Sequence, residues 1–148
     1  MTRDFEGILA TLRASTATGF ALRQEAMQLL DGLDGYDWSG IYALRGDMLH
    51  LDAYVGEATD HTEIPVGRGV CGTAVAENRH QVIEDVRTLT NYLACSLKTR
   101  SEIVVLIRRD GDILGQIDID GHQVGAFTVA DEQFLEQMGD ILAARWEE

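Results

Sequence analysis

Apolar positions change their spacing twice along this chain. Phe5, Ile8, Leu9 and Leu12 recur at three and four residues, which predicts an amphipathic helix. Ala21, Ala26, Leu29, Leu30 and Leu33 form a second stripe, ended by the glycines of DGLDG. From Asp37 the period shortens to two. DWSGIYALRGDMLHLDAYVG predicts two strands around an Arg45-Gly46-Asp47 turn. HTEIPVGRG reads as a loop with a short extended piece, and Val70 to Glu77 as a short helix opening at a cysteine. HQVIEDV predicts a short buried strand, and RTLTNYLACSLKTR a loop with a helical turn. SEIVVLIRRDGDILGQIDIDG is the clearest hairpin. A last helical stripe, Phe134, Leu135, Met138, Ile141 and Leu142, follows Thr128 as N-cap, with Asp131 and Glu132 near the positive end of its dipole. That stripe serves packing and a dimer contact rather than a site. Helices, then antiparallel strands, then a helix predict an α+β fold, in one domain over residues 1–148.

Charge narrows the partners. The formal net charge is −13, and no basic run exists, so nucleic acid is excluded as a partner held by phosphate neutralisation. A cationic or zwitterionic ligand suits such a surface. The N-terminus is amphipathic and acidic, unlike a signal peptide, and no apolar run reaches membrane-spanning length. The chain has 2 cysteines. Together these features predict a cytoplasmic protein with free thiols and no membrane association. Arg45-Gly46-Asp47 is expected to be a hairpin turn rather than an adhesion motif. His50, His61, His80 and His122 show no ligand-like spacing, so no metal is expected.

The hairpin carries the unusual chemistry. In ILGQIDID, Ile113, Ile117 and Ile119 share one strand face, and Gln116, Asp118 and Asp120 the other. The partner EIVVLI is apolar on both faces, which predicts a sheet covered on both sides. Acids on a covered face need a reason to be there. The turn decides whether Glu102 joins them. A two-residue Asp110-Gly111 loop puts Glu102 opposite Ile119, on the wrong face. A three-residue loop, with Gly111 in a bulge, puts it opposite Asp118. Three carboxyls together would repel, and at least one would stay protonated near neutral pH. Such a cluster binds an ammonium and lends a proton. The alternative is a solvated sheet face.

Two cysteines remain. Cys71 stands between Gly69-Val70 and Gly72 at a predicted helix start, where the dipole favours thiolate. It is more readily read as a small core residue, since unpaired cysteine is among the most buried residue types. Cys95 lies in the loop before Glu102 and is expected to be the exposed, reactive thiol.

Taken together, DWSGIY, IPVGRGVCGTA, the Ala94-Cys95 pair, SEIVV and DGDILGQIDID resemble the GAF-domain free methionine-(R)-sulfoxide reductases. The resemblance implies a central antiparallel sheet with helices on its sides, a homodimer, and a pocket for the free rather than the peptide-bound sulfoxide. It implies Cys95 as the catalytic cysteine and Cys71 as a secondary one. It assigns Glu102, Asp118 and Asp120 to the substrate, with Trp38 and Tyr42 as the aromatic wall. No bound cofactor is implied, only a thioredoxin-type or small-thiol reductant. One departure stands out: the family's usual resolving cysteine, ten residues before the Cys71 position, is His61 here. His61 offers no thiol and is expected to face water. Recycling of Cys95 through Cys71, recycling by an outside thiol, and loss of turnover all remain open. The competing class is a non-catalytic GAF domain that binds a small ligand or senses oxidant through its cysteines. The acidic cluster disfavours a cyclic phosphate as that ligand.

Overall fold

The structure is a computed structural model that describes residues 3–90, 92 and 98–147. Two helices come first, α1 (Phe5–Ala14) and α2 (Gly19–Leu30). Then come strands β1 (Trp38–Arg45), β2 (Met48–Val55) and β3 (Glu63–Pro65), helix α3 (Gly69–Glu77) and strand β4 (Gln81–Ile83). After a single 3-10 turn at Val86–Thr88, β5 (Ser101–Arg109) and β6 (Asp112–Gly121) form the long hairpin, and α4 (Val129–Ala144) closes the chain. The strands make one six-stranded sheet in the order β3-β2-β1-β6-β5-β4, with every neighbouring pair antiparallel. The α+β class expected from the sequence holds. No helix among the described residues is long and apolar enough to cross a membrane.

The sheet is covered on both faces, as the doubly apolar β5 requires. Ile103, Val105 and Ile107 of β5 join Ile117 and Ile119 of β6 in the larger core, under α1, α2 and α4. Val104 and Leu106 point to the other face, where Trp38, Tyr42, Ile64, Val70 and Cys71 form a second cluster beneath α3. The terminal stripe packs in the larger core, with Phe134, Leu135, Met138 and Leu142 buried and Ile141 partly so. In α2 the buried face is set differently from the expected stripe. Ala21 is exposed, and Leu22, Ala26, Met27 and Leu30 are buried. Arg23 lies on that face as well, where Leu22 and Met27 displace the expected stripe by one residue.

The larger core holds its charged groups in closed networks. Arg3 grips Asp131 through Nη1 at 2.7 Å to both carboxylate oxygens, and donates from Nη2 to the Ala126 carbonyl. The Tyr36 hydroxyl donates to the same Asp131 at 2.6 Å. Asp131 also accepts from the Thr128 backbone N–H, which fixes Thr128 as the N-cap of α4. Burial, then the Asp131 contact, pushes the Tyr36 hydroxyl far above its ordinary pKa. Arg23 pairs with Asp52 at 2.6 Å and stacks over Trp146 at 4.4 Å.

The β1–β2 turn falls at Gly46-Asp47, with Arg45 opposite Met48, so the Arg-Gly-Asp triplet is a tight turn. β4 differs from the buried strand expected. It is an edge strand with Val82 44% exposed, since only β5 flanks it. The β5–β6 turn is a two-residue Asp110-Gly111 loop, both residues at positive φ, pairing Arg109 with Asp112. The register then shifts: Arg108 faces Ile113, but Ile107 faces Gly115, so Leu114 is an extra residue on β6. The sequence reading allowed two loops and neither occurs whole. The short loop forms, and the bulge sits three residues later, placing Glu102 opposite Asp120. The bulge also turns Ile113 away from Ile117 and Ile119. Ile113 packs on the α3 side, and Leu114 takes the place on the larger core. At Gly115 a Cβ would stand 2.3 Å from the Tyr42 carbonyl oxygen, so the strand after the bulge fits β1 only as glycine.

Candidate active site

Register builds the site row by row. Trp38 of β1 faces Asp120 of β6, which faces Glu102 of β5. In the next row of that face, Gly40 faces Asp118 and Asp118 faces Val104. Tyr42 faces Gln116 in the row beyond. Side chains alternate along strands, so Glu102, Asp118 and Asp120 all project to the α3 side. They are 4%, 0% and 1% exposed, so the solvated-face reading does not hold.

Gly40 explains how an indole fits beside this row. A Cβ there would lie 2.3 Å from the Trp38 ring, so the indole occupies the space of the missing side chain, next to Asp118. Trp38 is fixed from the other side by Gly56, by stacking on Tyr54 at 5.8 Å, and by donating from Nε1 to the Glu57 carbonyl at 2.9 Å. Tyr42 is fully buried in the same cluster, and its hydroxyl donates to the His61 carbonyl at 2.8 Å. It thereby ties the loop before β3 to the sheet.

Helix α3 delivers Cys71. The Cys71 Sγ donates to Glu102 Oε2 at 3.9 Å, and sulfur and carboxylate atoms of Cys71, Glu102 and Asp118 lie within 4.8 Å of one another. The helix start cannot drift away. Gln116 Nε2 donates to the Cys71 carbonyl at 3.0 Å, and at Gly72 a Cβ would meet the Pro65 carbonyl oxygen at 2.5 Å. Two fields act on Sγ there. A helix N-terminus favours negative charge by about 0.3–1 kcal/mol. A carboxylate at about 4 Å opposes it by about 4 kcal/mol at an effective dielectric near 20. On these magnitudes an ionised neighbour opposes a thiolate more strongly than the helix start favours one.

Burial pushes the Asp118 carboxyl above its usual range, and hydrogen bonding with Glu102 and Cys71 only partly offsets this. No cation lies within ion-pairing distance of Asp118 among the described residues. It therefore holds a proton more readily than an ordinary aspartate does.

Two hollows meet these groups. A cavity of about 10 Å³, on the scale of one water, is lined by Glu102, Asp118, Cys71, His61 and Arg68. A second of about 220 Å³ is lined by Trp38, Asp120, Glu57, Thr99 and His122. His61, expected to face water, is half-buried on the first, because the Tyr42 hydroxyl draws its backbone inward. Sequence reasoning missed Arg68 as a lining residue. Its signal was its place directly before Gly69, at the N-cap of α3. Cys95 lies outside the described residues. The other six residues expected in the site gather on one face of the sheet.

Among the described residues, two clusters have metal-ligand composition. Cys71, Glu102 and Asp118 form one. His80, Glu132 and Glu136 form the other, between the start of β4 and α4. In that cluster His80 Nδ1 accepts the Leu106 backbone N–H at 3.0 Å, so its proton stands on Nε2 facing Glu136. This leaves no lone pair toward the glutamates, and burial, the main cause, lowers the His80 pKa.

The chain as a whole has known relatives. A GAF domain family model matches residues 21–147. The free methionine-R-sulfoxide reductase of Escherichia coli is 40% identical over 138 residues, covering 93% of this chain and 81% of that protein. The solved type II free methionine-R-sulfoxide reductase of Thermoplasma acidophilum superposes with a TM-score of 0.80 at 39% identity, covering 93% of each chain. The Neisseria meningitidis free methionine-R-sulfoxide reductase, solved with its substrate, gives 0.87 at 32% identity, covering 96% of this chain and 85% of that one. With its two-faced sheet and its row of buried acids beside Trp38, the chain belongs to the GAF-domain family of free methionine-R-sulfoxide reductases.

Proposed function

We propose that this protein reduces free methionine-(R)-sulfoxide to methionine, with Cys95 as nucleophile. The observation that carries the reading is the buried row Trp38–Asp120–Glu102 with Asp118 beside it. A free amino acid brings an ammonium, which the carboxylates of Glu102 and Asp120 would hold. Its methyl-sulfur end suits the Trp38 ring. The Cys95 thiolate attacks the sulfoxide sulfur, and the S–O bond breaks as oxygen passes to the cysteine sulfur. Oxygen leaves a sulfoxide poorly until it is protonated, and Asp118, raised by burial, is the residue placed to give that proton. The substrate sulfur gains two electrons and leaves as methionine, and Cys95 becomes a sulfenic acid. A thiol then condenses with it, releasing water, and the disulfide is reduced by a thioredoxin-type protein or a small thiol.

Single turnover tests this. Reduced protein is mixed with the R and S isomers of free methionine sulfoxide separately, without added reductant. Methionine is expected from the R isomer alone, about one per chain, and none from Cys95→Ser. No methionine from either isomer would leave a ligand-binding or oxidant-sensing GAF domain instead.

A further inference from the structure

A thiolate and a sulfoxide become a sulfenic acid and a thioether only by taking up one proton. In the reductase reading Asp118 gives that proton, yet Asp118 is 0% exposed and must be reloaded before it acts again. We infer that His61 reloads it, relaying protons from solvent to Asp118 through a water held in the small cavity that both residues line. This rests on the reductase reading and names the proton supply within it.

The cavity selects the residue. Its volume is about 10 Å³, room for one water, and Asp118, Glu102 and His61 are polar partners in its wall. A relay must reach solvent at one end and the cavity at the other, and must gain and lose a proton near neutrality. Glu102 and Cys71 line the cavity but are 4% and 5% exposed, so neither has an open end. Arg68 is exposed, but a guanidinium does not release its proton. His61 is half-buried, and imidazole is the side-chain type that exchanges protons near neutrality. Among the described residues that line the cavity, it alone meets all three conditions. Its backbone is held at two points: the carbonyl accepts from the Tyr42 hydroxyl at 2.8 Å, and the N–H donates to Thr59 Oγ1 at 3.1 Å. The charged or titratable groups sharing its cavity are Arg68, Cys71, Glu102 and Asp118. On its own segment Asp60 is exposed, and Glu63 pairs with His50 at 3.6 Å.

The step balances without any change of oxidation state. The His61 imidazolium gives a proton to the water, the water gives one to the Asp118 carboxylate, and the neutral imidazole takes a replacement from solvent. General acids commonly act through one such water.

First and later turnovers separate this role from others. The first methionine uses the proton already on Asp118, and every later one needs the relay. His61→Gln keeps a hydrogen-bonding side chain without proton exchange, and His61→Ala leaves space for added imidazole. Methionine formed from the free (R)-sulfoxide is followed in the first turnover by rapid quench, and at steady state with saturating dithiothreitol, with melting curves as the folding control. Both variants are expected to keep the first-turnover rate within about twofold and to lose about tenfold in kcat, with imidazole restoring most of the loss in His61→Ala. A normal kcat in either variant overturns the relay. So does an equal loss in both phases, or a loss cured by more dithiothreitol and not by imidazole, since these place His61 at the substrate or at the thiol step. Wild type that yields no methionine in the first turnover sinks the reductase reading itself, a different result from any of these.

Discussion

Asp131 and Asp118 are both fully buried, on opposite sides of one sheet, and they are held in opposite ways. Asp131 has a bidentate arginine, a tyrosine hydroxyl and a helix cap. Asp118 has a glutamate and a thiol as neighbours, and no cation within reach among the described residues. A carboxylate buried for structure is neutralised where it stands. One buried for chemistry is left to seek its counter-charge or proton from what binds. Total burial therefore does not tell the two apart, and the identity of the neighbours does.

The largest expected effect lies on the Asp131 side. Arg3→Leu strips a buried carboxylate of its cation and is expected to cost about 3 kcal/mol in urea unfolding, with kcat/KM per folded molecule unchanged. A loss within the scatter of surface mutations would erase the contrast. Asp118→Asn should act in the reverse sense, losing at least about a hundredfold in kcat/KM while gaining about 1 kcal/mol of stability at neutral pH. Its pH dependence follows from the raised pKa. The folded state holds this proton more tightly than the unfolded chain does. Stability from Asp118 is thus complete below the ordinary aspartate value of 3.8 and is lost as pH rises through the raised pKa. The gap between Asn and wild type should widen over that window and vanish in acid. A gap that is flat with pH would mean Asp118 is ionised in the fold.

His80 lies between these extremes and should show the smallest effect. Its pKa is lowered chiefly by burial, with Glu136 and Glu132 raising it and Arg108 lowering it further. The stability it supports is complete above 6.5 and falls as pH drops below that value toward the lowered pKa. His80→Gln should therefore flatten the stability profile below pH 6.5, by well under about 1 kcal/mol. An unchanged slope would assign the acid limb to other groups.

Much of this was readable from residue order, for definite reasons. Strand side chains alternate, so Gln116, Asp118 and Asp120 had to share a face, and β5, apolar on both sides, had to be covered twice. What was not readable depends on backbone crowding between elements distant in sequence. The Leu114 bulge answers to the Tyr42 carbonyl pressing on Gly115, which no pattern within the hairpin encodes. The exposure of Val82 depends on β4 lying at the sheet edge. The inward place of His61 depends on a tyrosine 19 residues earlier. The roles of Cys95 rest on the family resemblance, since it lies outside the described residues.

The bulge at Leu114 also limits how this hairpin can change in length. One extra residue on one arm keeps Glu102 in phase with Asp118 and Asp120. An insertion or deletion of a single residue between the bulge and Asp118 would send the acids into the larger core, while a change of two would preserve them. Indels that relatives accept in this arm should therefore come in even numbers, a rule of parity set by one leucine.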